Sequence, residues 1–227
     1  MHITVLGTGM VGRGFAARLS ELGHDVAIGT RDVEQTLART DSDTMGNPPF
    51  SDWRTAHPKI ALLPFAEAGA RAEVIVNATH GALSLTALEV AGAENLAGKV
   101  LIDVALPLDF SEGMPPTLTI ANTDSLAEQI QRAHPEARVV KMLNTVFVDV
   151  MVDPGRVPGK HNIFVAGNDA DAKETARGLL REFGWVEDMI VDLGGIRGAR
   201  GAEMYSRLYF ELVGALGTLD FNIAIVR

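Results

Sequence analysis

Cysteine is absent from the 227 residues. That absence excludes disulfides, thiolate nucleophiles and cysteine-ligated metals. Aromatic residues are scarce at 6%, and basic ones are outnumbered: 20 Lys and Arg stand against 29 Asp and Glu, a formal net charge of −9. This balance argues against a nucleic-acid partner or an anionic membrane surface. No apolar run is long enough to suggest a membrane span. Met1 leads directly into a predicted strand, so no leader peptide is expected. His2, His24, His57, His134 and His161 are scattered without ligand-like spacing, so no metal site is expected. What remains is a chain with 47% hydrophobic residues, enough for one α/β domain with an appended lobe. A cytoplasmic enzyme acting on a small molecule is the natural expectation.

The first thirty-one residues carry most of the functional information. Ile3, Val5 and Leu6 form a short apolar run of the kind found in buried parallel strands. It ends in Gly7-Thr8-Gly9-Met10-Val11-Gly12, the spacing of a dinucleotide fingerprint. Gly7 permits the tight turn, Gly9 lets backbone approach a pyrophosphate, and Gly12 lets the next helix pack on the sheet. Phe15, Leu19 and Leu22 continue that helix's apolar face, and Gly23 is placed to end it. The helix start would aim free N–H groups and its positive dipole end at the phosphates.

A second strand, Asp25–Ile28, follows at the distance expected of this unit. NAD sites place an acidic residue at the end of that strand to bond the ribose 2′-hydroxyl. Here Gly29 is followed by Thr30 and Arg31. A permanently charged planar fork and a hydroxyl donor suit a 2′-phosphate, so NADP(H) is the expected cofactor. Asp32 either caps the next helix, Val33–Leu37, or weakens phosphate binding.

Downstream, apolar strands are predicted at Ile60–Leu63, Glu73–Asn77, Lys99–Val104, Arg138–Met142, Asn162–Ala166 and Met189–Asp192. Helices are predicted at Phe65–Arg71, Leu83–Ala91, Ser125–Ala133 and Ala170–Phe183. The alternation implies a Rossmann-type, doubly wound, mainly parallel sheet whose ligand lies beyond the strand carboxyl ends. Residues 1–144 read as the NADP-binding domain and 145–227 as a small lobe packed on it. Thr40–Pro58 breaks the rhythm and reads as an ordered loop, an insertion or a lid, with Trp53 as its anchor. A last helix runs from near Arg197 towards Phe221, with Met204, Leu208, Leu212, Leu216 and Leu219 on one apolar face. That face must pack on the domain or on a second copy, and a homodimer through this helix is expected.

Among other polar residues, Lys141 reads as an ordinary edge lysine and Asp103 as a partner of local backbone. Asn168-Asp169 precede a helix as a cap would. His80 follows a strand expected to end at the cofactor; it either delivers a proton there or caps the helix near Leu83.

Together these motifs resemble the NADPH-dependent coenzyme F-420 reductase family and its dinucleotide-binding relatives, with the ferric-reductase domain of the STEAP proteins more distant. The resemblance runs over nearly the whole chain. It rests on the fingerprint, on Gly29-Thr30-Arg31, on Val139-Val140-Lys141-Met142-Leu143-Asn144-Thr145 and on Val165-Ala166-Gly167-Asn168-Asp169. Asp192-Leu193-Gly194-Gly195 and Arg200-Gly201-Ala202-Glu203 complete it. It implies hydride transfer between NADP(H) and a deazaflavin or flavin-like acceptor, coenzyme F-420 or a flavin. Thr8, Met10 and Val11 would lie beside the pyrophosphate, Thr30 and Arg31 at the 2′-phosphate, and Ala78, Thr79 and His80 along the nicotinamide. Asn144 would face the acceptor, its alternative being turn chemistry at a strand end. Arg200 would meet an anionic acceptor or form a salt bridge with Glu203 or another residue. The chain departs from the archaeal-type pattern in the length of Thr40–Pro58, in Asn144 where a histidine is expected, and in Thr79-His80-Gly81 replacing a proline-aromatic segment. All three touch the acceptor side. Reduction of a small imine, a carbonyl or a ferric chelate, and a non-catalytic NADP-binding sensor, are the alternative readings.

Overall fold

The computed structural model describes residues 1–43 and 45–226. Its first half runs β1 (His2–Leu6), α1 (Met10–Glu21), β2 (Asp25–Thr30), α2 (Val33–Leu37), α3 (Phe50–Ala56), β3 (Ala61–Pro64), α4 (Phe65–Arg71), β4 (Val74–Asn77), α5 (Ser84–Ala91), α6 (Ala93–Leu96) and β5 (Val100–Asp103). The rest runs β6 (Leu108–Asp109), β7 (Thr117–Leu118), α7 (Leu126–Ala133), β8 (Arg138–Met142), α8 (Val148–Val152), β9 (Ile163–Gly167), α9 (Ala170–Phe183), β10 (Ile190–Asp192) and α10 (Ala199–Leu216).

Successive residues of the central strands point to opposite faces, and both faces are dry. Ile3, Val5, Val74, Val76, Val100 and Ile102 enter a core with Phe15, Leu19, Phe183 and Trp185. Leu6, Ile75 and Leu101 enter a second core with Leu88, Leu126 and Ile130 on the other face. Phe15 of α1 meets Phe183 of α9 edge to face at 5.7 Å, the favoured geometry of an aromatic pair.

Eight strands form one sheet in the order β10-β9-β8-β5-β4-β1-β2-β3. The six from β3 to β8 are mutually parallel. The chain leaves β1 towards β2 on one side and returns to β4 on the other, so a crevice opens between the carboxyl ends of β1 and β4, where doubly wound sheets bind ligands. β9 reverses direction against β8, and β10 follows β9 in parallel. The sheet is therefore mainly parallel, and it is continuous across the expected boundary at residue 144.

Residues 40–58 are more structured than an ordered loop; residue 44 lies outside the described residues. They contain α3, whose Phe50 is buried in the first core, and Trp53 packs partly on that core while stacking on His57 at 4.3 Å. The buried Arg13 of α1 holds the segment down by donating to the Pro48 carbonyl at 2.6 Å and pairing with Asp43 at 3.0 Å.

The apolar stripe expected of α10 is only partly covered: Met204, Leu212 and Leu219 are half-buried, whereas Leu208 and Leu216 are exposed. The buried residues of the helix are Ala199, Ala202, Glu203, Ser206 and Tyr209, a small and polar face. Leu208 and Leu216 point outward, 54% and 56% exposed. Beyond the helix the tail folds back. Phe221 stacks on Tyr209 at 5.0 Å, and the Ile223 carbonyl accepts from the Asn162 N–H.

Candidate active site

At the switch point, two loops meet with no room to spare. Gly7 has φ +119, and a Cβ there would lie 2.5 Å from the Ala78 carbonyl oxygen. A Cβ on Gly12 would lie 2.1 Å from the Gly7 carbonyl oxygen, whereas at Gly9 it would meet nothing within 4 Å. Two glycines thus hold turn against helix, and the third leaves open space. α1 begins at Met10 with no side-chain cap and no acidic residue in its first turn. Its first N–H groups lack intrahelical acceptors, and Arg13 N–H is the first to turn back, to the Gly9 carbonyl. A twelve-residue helix dipole, free N–H groups and an open approach over Gly9 fit a pyrophosphate.

The end of β2 turns its hydroxyls inward. Thr30 is buried, and its hydroxyl lies 2.7 Å from that of Thr36. Thr36 gives its hydroxyl proton to the Asp32 carbonyl, which leaves Thr30 donating to Thr36 and bracing the turn. Asp32 caps α2, accepting from Gln35 N–H at 2.9 Å. Arg31 is exposed and pairs with no carboxylate among the described residues.

On the other wall of the crevice, Ala78 N–H donates to the Leu6 carbonyl at 2.9 Å, continuing β4 beside the fingerprint. Thr79 turns inward, its hydroxyl 2.7 Å from Asn77 Oδ1 and 2.9 Å from Ser84 Oγ. His80 is exposed, and its side chain makes no cap bond to the following turn. The structure thus brings Gly7, Thr8, Gly9, Met10, Val11 and Gly12 together with Ala78, Thr79 and His80 at one edge of the sheet.

Beneath this edge lies an ion cluster that the sequence reading missed. Lys141, fully buried, is no edge lysine. Its ammonium contacts Asp103 Oδ2 at 2.9 Å, Glu203 Oε1 at 3.1 Å and the Ala105 carbonyl, which uses all three of its protons. Asp103 also accepts from Asn77 Nδ2 at 2.8 Å and from Ala105 N–H at 3.2 Å. Glu203 accepts from the Leu126 and Ala127 N–H groups at 2.8 and 3.1 Å, capping α7 from a distant element. Burial works against the Lys141 charge, but the two carboxylates outweigh it and raise its pKa. Burial also pushes the Glu203 carboxyl above its usual range, with Lys141 pulling it back. The cluster leads through Asn77 to Thr79 and Ser84, tying the ends of β4, β5 and β8 to α10.

The chain is similar to known proteins. Residues 2–107 match the family described as NADP oxidoreductase coenzyme F420-dependent. A crystal structure of a candidate F420-dependent NADP-reductase from Arthrobacter sp. FB24 superposes with a TM-score of 0.93 at 56% identity, covering 99% of each chain. The chain belongs to the coenzyme F420-dependent NADP oxidoreductase family. The F420-dependent NADP reductase of Methanothermobacter marburgensis is 29% identical over 216 residues, covering 93% of this chain and 92% of that one. Rat metalloreductase STEAP3 is 25% identical over 201 residues, but the match spans only 35% of its length.

Asn144 and Arg200, the two residues expected near the acceptor, are both held by the protein itself. Asn144 is buried, and its Nδ2 donates to the Ala202 carbonyl of α10 at 2.8 Å. It fastens the end of β8 to the helix, while its carboxamide oxygen takes no hydrogen bond among the described residues. Arg200 does not pair with Glu203. It forms a two-pronged bridge to Glu128, with both contacts at 2.7 Å. At the start of α7, Ser125 Oγ accepts from Glu128 N–H at 3.1 Å and donates to Glu128 Oε2 at 2.8 Å, so it caps the helix and holds the carboxylate at once. Asp169 caps α9 as expected, accepting from Ala172 N–H at 2.7 Å.

Proposed function

We propose that this NADP-dependent oxidoreductase transfers hydride between NADP(H) and a deazaflavin or flavin-like acceptor of the coenzyme F-420 kind. The observation that carries the cofactor half is the crevice between β1 and β4. It has an uncapped helix start with no acidic residue in its first turn, and Arg31, just beyond β2, is exposed and pairs with no carboxylate among the described residues. Residues 1–144 supply that half, and 145–227 wall the acceptor side through α10.

When bound, the nicotinamide and the acceptor ring supply the redox chemistry themselves, and the protein's task is to hold them in contact. The α1 N–H groups and Thr8 hold the pyrophosphate, with Met10 and Val11 closing over it. Arg31 receives the 2′-phosphate. Ala78 and Thr79 flank the nicotinamide, and the inward bonds of Thr79 fix that loop against the sheet. His80 stands free at the mouth and delivers a proton to the reduced acceptor. Asn144 presents its carboxamide oxygen to the acceptor side. Alignment of the two rings in van der Waals contact is itself the main rate contribution.

A homodimer forms through the outward stripe of α10, where Leu208 and Leu216 lie exposed; a monomeric mass by light scattering would remove it. No described helix is long and apolar enough to cross a membrane, and the assigned compartment is the cytoplasm.

Anaerobic NADPH oxidation against F-420, FMN, FAD, ferric chelates and a cyclic imine tests the acceptor. Fastest turnover with F-420 supports the proposal. Preference for a ferric chelate or an imine overturns the acceptor, and no turnover with any of them favours a binding protein.

A further inference from the structure

A guanidinium that no motif marks sits in the cofactor crevice. Arg39 lies just beyond α2. Its Nη1 donates to Thr8 Oγ1 at 3.2 Å, and its Nη2 lies 3.5 Å from Thr36 Oγ1. Thr8 is in the fingerprint loop, and Thr36 is bonded to Thr30 at the end of β2. Arg39 therefore bridges the two elements between which the adenosine ribose of a dinucleotide lies in this topology. It is exposed and pairs with no carboxylate among the described residues. Its charge is uncompensated locally, although the chain as a whole is acidic.

The backbone holding Arg39 is fixed from both sides. Its carbonyl accepts from Ser51 Oγ at 3.5 Å. The segment that follows is pinned to α1 by Arg13 through Pro48 and Asp43. The excursion of residues 40–58 thus returns the chain across the fingerprint and keeps Arg39 at the crevice. A hydroxyl is a weak acceptor for an arginine fork, and Thr8 and Thr36 offer one each. A phosphate dianion offers two or more charged oxygens in the planar arrangement that fork matches.

We propose that Arg39 is a second cation of the adenosine 2′-phosphate site, in addition to Arg31, and that it is a determinant of NADP over NAD. This rests on the cofactor reading given above. On binding, Arg39 exchanges its two hydroxyl contacts for the phosphate oxygens, and Thr8 is released towards the ligand.

Calorimetric titration with 2′,5′-ADP and with 5′-ADP tests the proposal without involving any acceptor. The wild-type protein is expected to bind 2′,5′-ADP more tightly. Arg39→Gln is expected to weaken 2′,5′-ADP roughly ten- to hundredfold, the range of a charge-assisted hydrogen bond, and to leave 5′-ADP unchanged. Arg39→Lys, which keeps the charge without the fork, is expected to fall between. If Arg31→Gln erases the preference while Arg39→Gln preserves it, Arg39 is not part of the site. Equal weakening of both ligands by Arg39→Gln would show that it merely braces the turn. A wild-type protein that does not distinguish the two ligands would overturn the NADP reading as well.

Discussion

Replacing Lys141 with methionine removes one charge from a buried cluster of three while nearly preserving volume. The two carboxylates would then face each other without their cation. Each keeps two donors, Asn77 and Ala105 N–H for Asp103, and Leu126 and Ala127 N–H for Glu203. The cost is therefore that of a broken buried ion pair, about 3–5 kcal/mol, rather than that of two bare ions. With a urea slope of ~2–3 kcal/mol/M for a chain of this size, the unfolding midpoint is expected to fall by roughly 1–2 M. The pH dependence identifies the cause. In the variant, burial and the neighbouring Asp103 charge, no longer offset by the lysine, raise the Glu203 carboxyl further above its value in the unfolded chain. Between the two values the folded state binds more protons than the unfolded state, so stability falls as pH rises. The deficit against wild type is expected to be largest near pH 8 and to shrink towards pH 5. A triple variant, Asp103→Asn with Lys141→Met and Glu203→Gln, carries no buried charge and is expected to recover most of the loss. A deficit below about 1 kcal/mol, or one that does not change with pH, would refute the claim that these ions depend on one another.

Gly12→Ala places a methyl carbon against the Gly7 carbonyl. Overpacking of this kind costs about 1–3 kcal/mol, and α1 must shift off the turn, so both melting temperature and NADPH affinity are expected to fall; neither moving would contradict the contact. His80→Asn is expected to slow turnover roughly tenfold or more with NADPH affinity unchanged by fluorescence titration, and unaltered kinetics would exclude His80 from proton delivery. Arg200 holds the Glu128 carboxyl below its usual range. The stability linked to that depression is present above about pH 4.5 and lost on further acidification. Arg200→Gln is thus expected to melt earlier at pH 7, with the gap constant down to about pH 4.5 and shrinking only on further acidification; a gap that does not shrink there would mean that the bridge is not its source.

The sheet was legible because its central strands are buried on both faces and read as continuous apolar runs. Helix starts followed from the candidate caps at Asp32 and Asp169, whereas Ser125, read as the first helical residue, is itself the cap of α7. The cofactor crevice was legible because glycine geometry is local: turn, approach and packing all fall within six residues. The ion cluster was not, because Asp103, Lys141 and Glu203 lie on three elements far apart in sequence. Each alone resembles a surface charge. Arg39 was missed for a related reason. It sits in a polar stretch after a short helix, and only the return of residues 40–58 across α1 brings it to Thr8. The inward bond from Thr30 to Thr36 was not legible either, because composition cannot show where a hydroxyl proton goes. The buried face of α10 admits Glu203 among small residues, a pairing that an apolar stripe cannot announce, while Leu208 and Leu216 are left exposed.

α10 is anchored at both ends like a beam on two abutments. Its first turns are fixed by Asn144 and Glu203, and the tail beyond it returns to β9 through Ile223, with Phe221 laid on Tyr209. The span between, including Leu212, Leu216 and Gly214, carries none of these attachments. Its surface can be redrawn by substitution without loosening either support, so whatever the span touches is free to diverge while the cofactor crevice stays as it is.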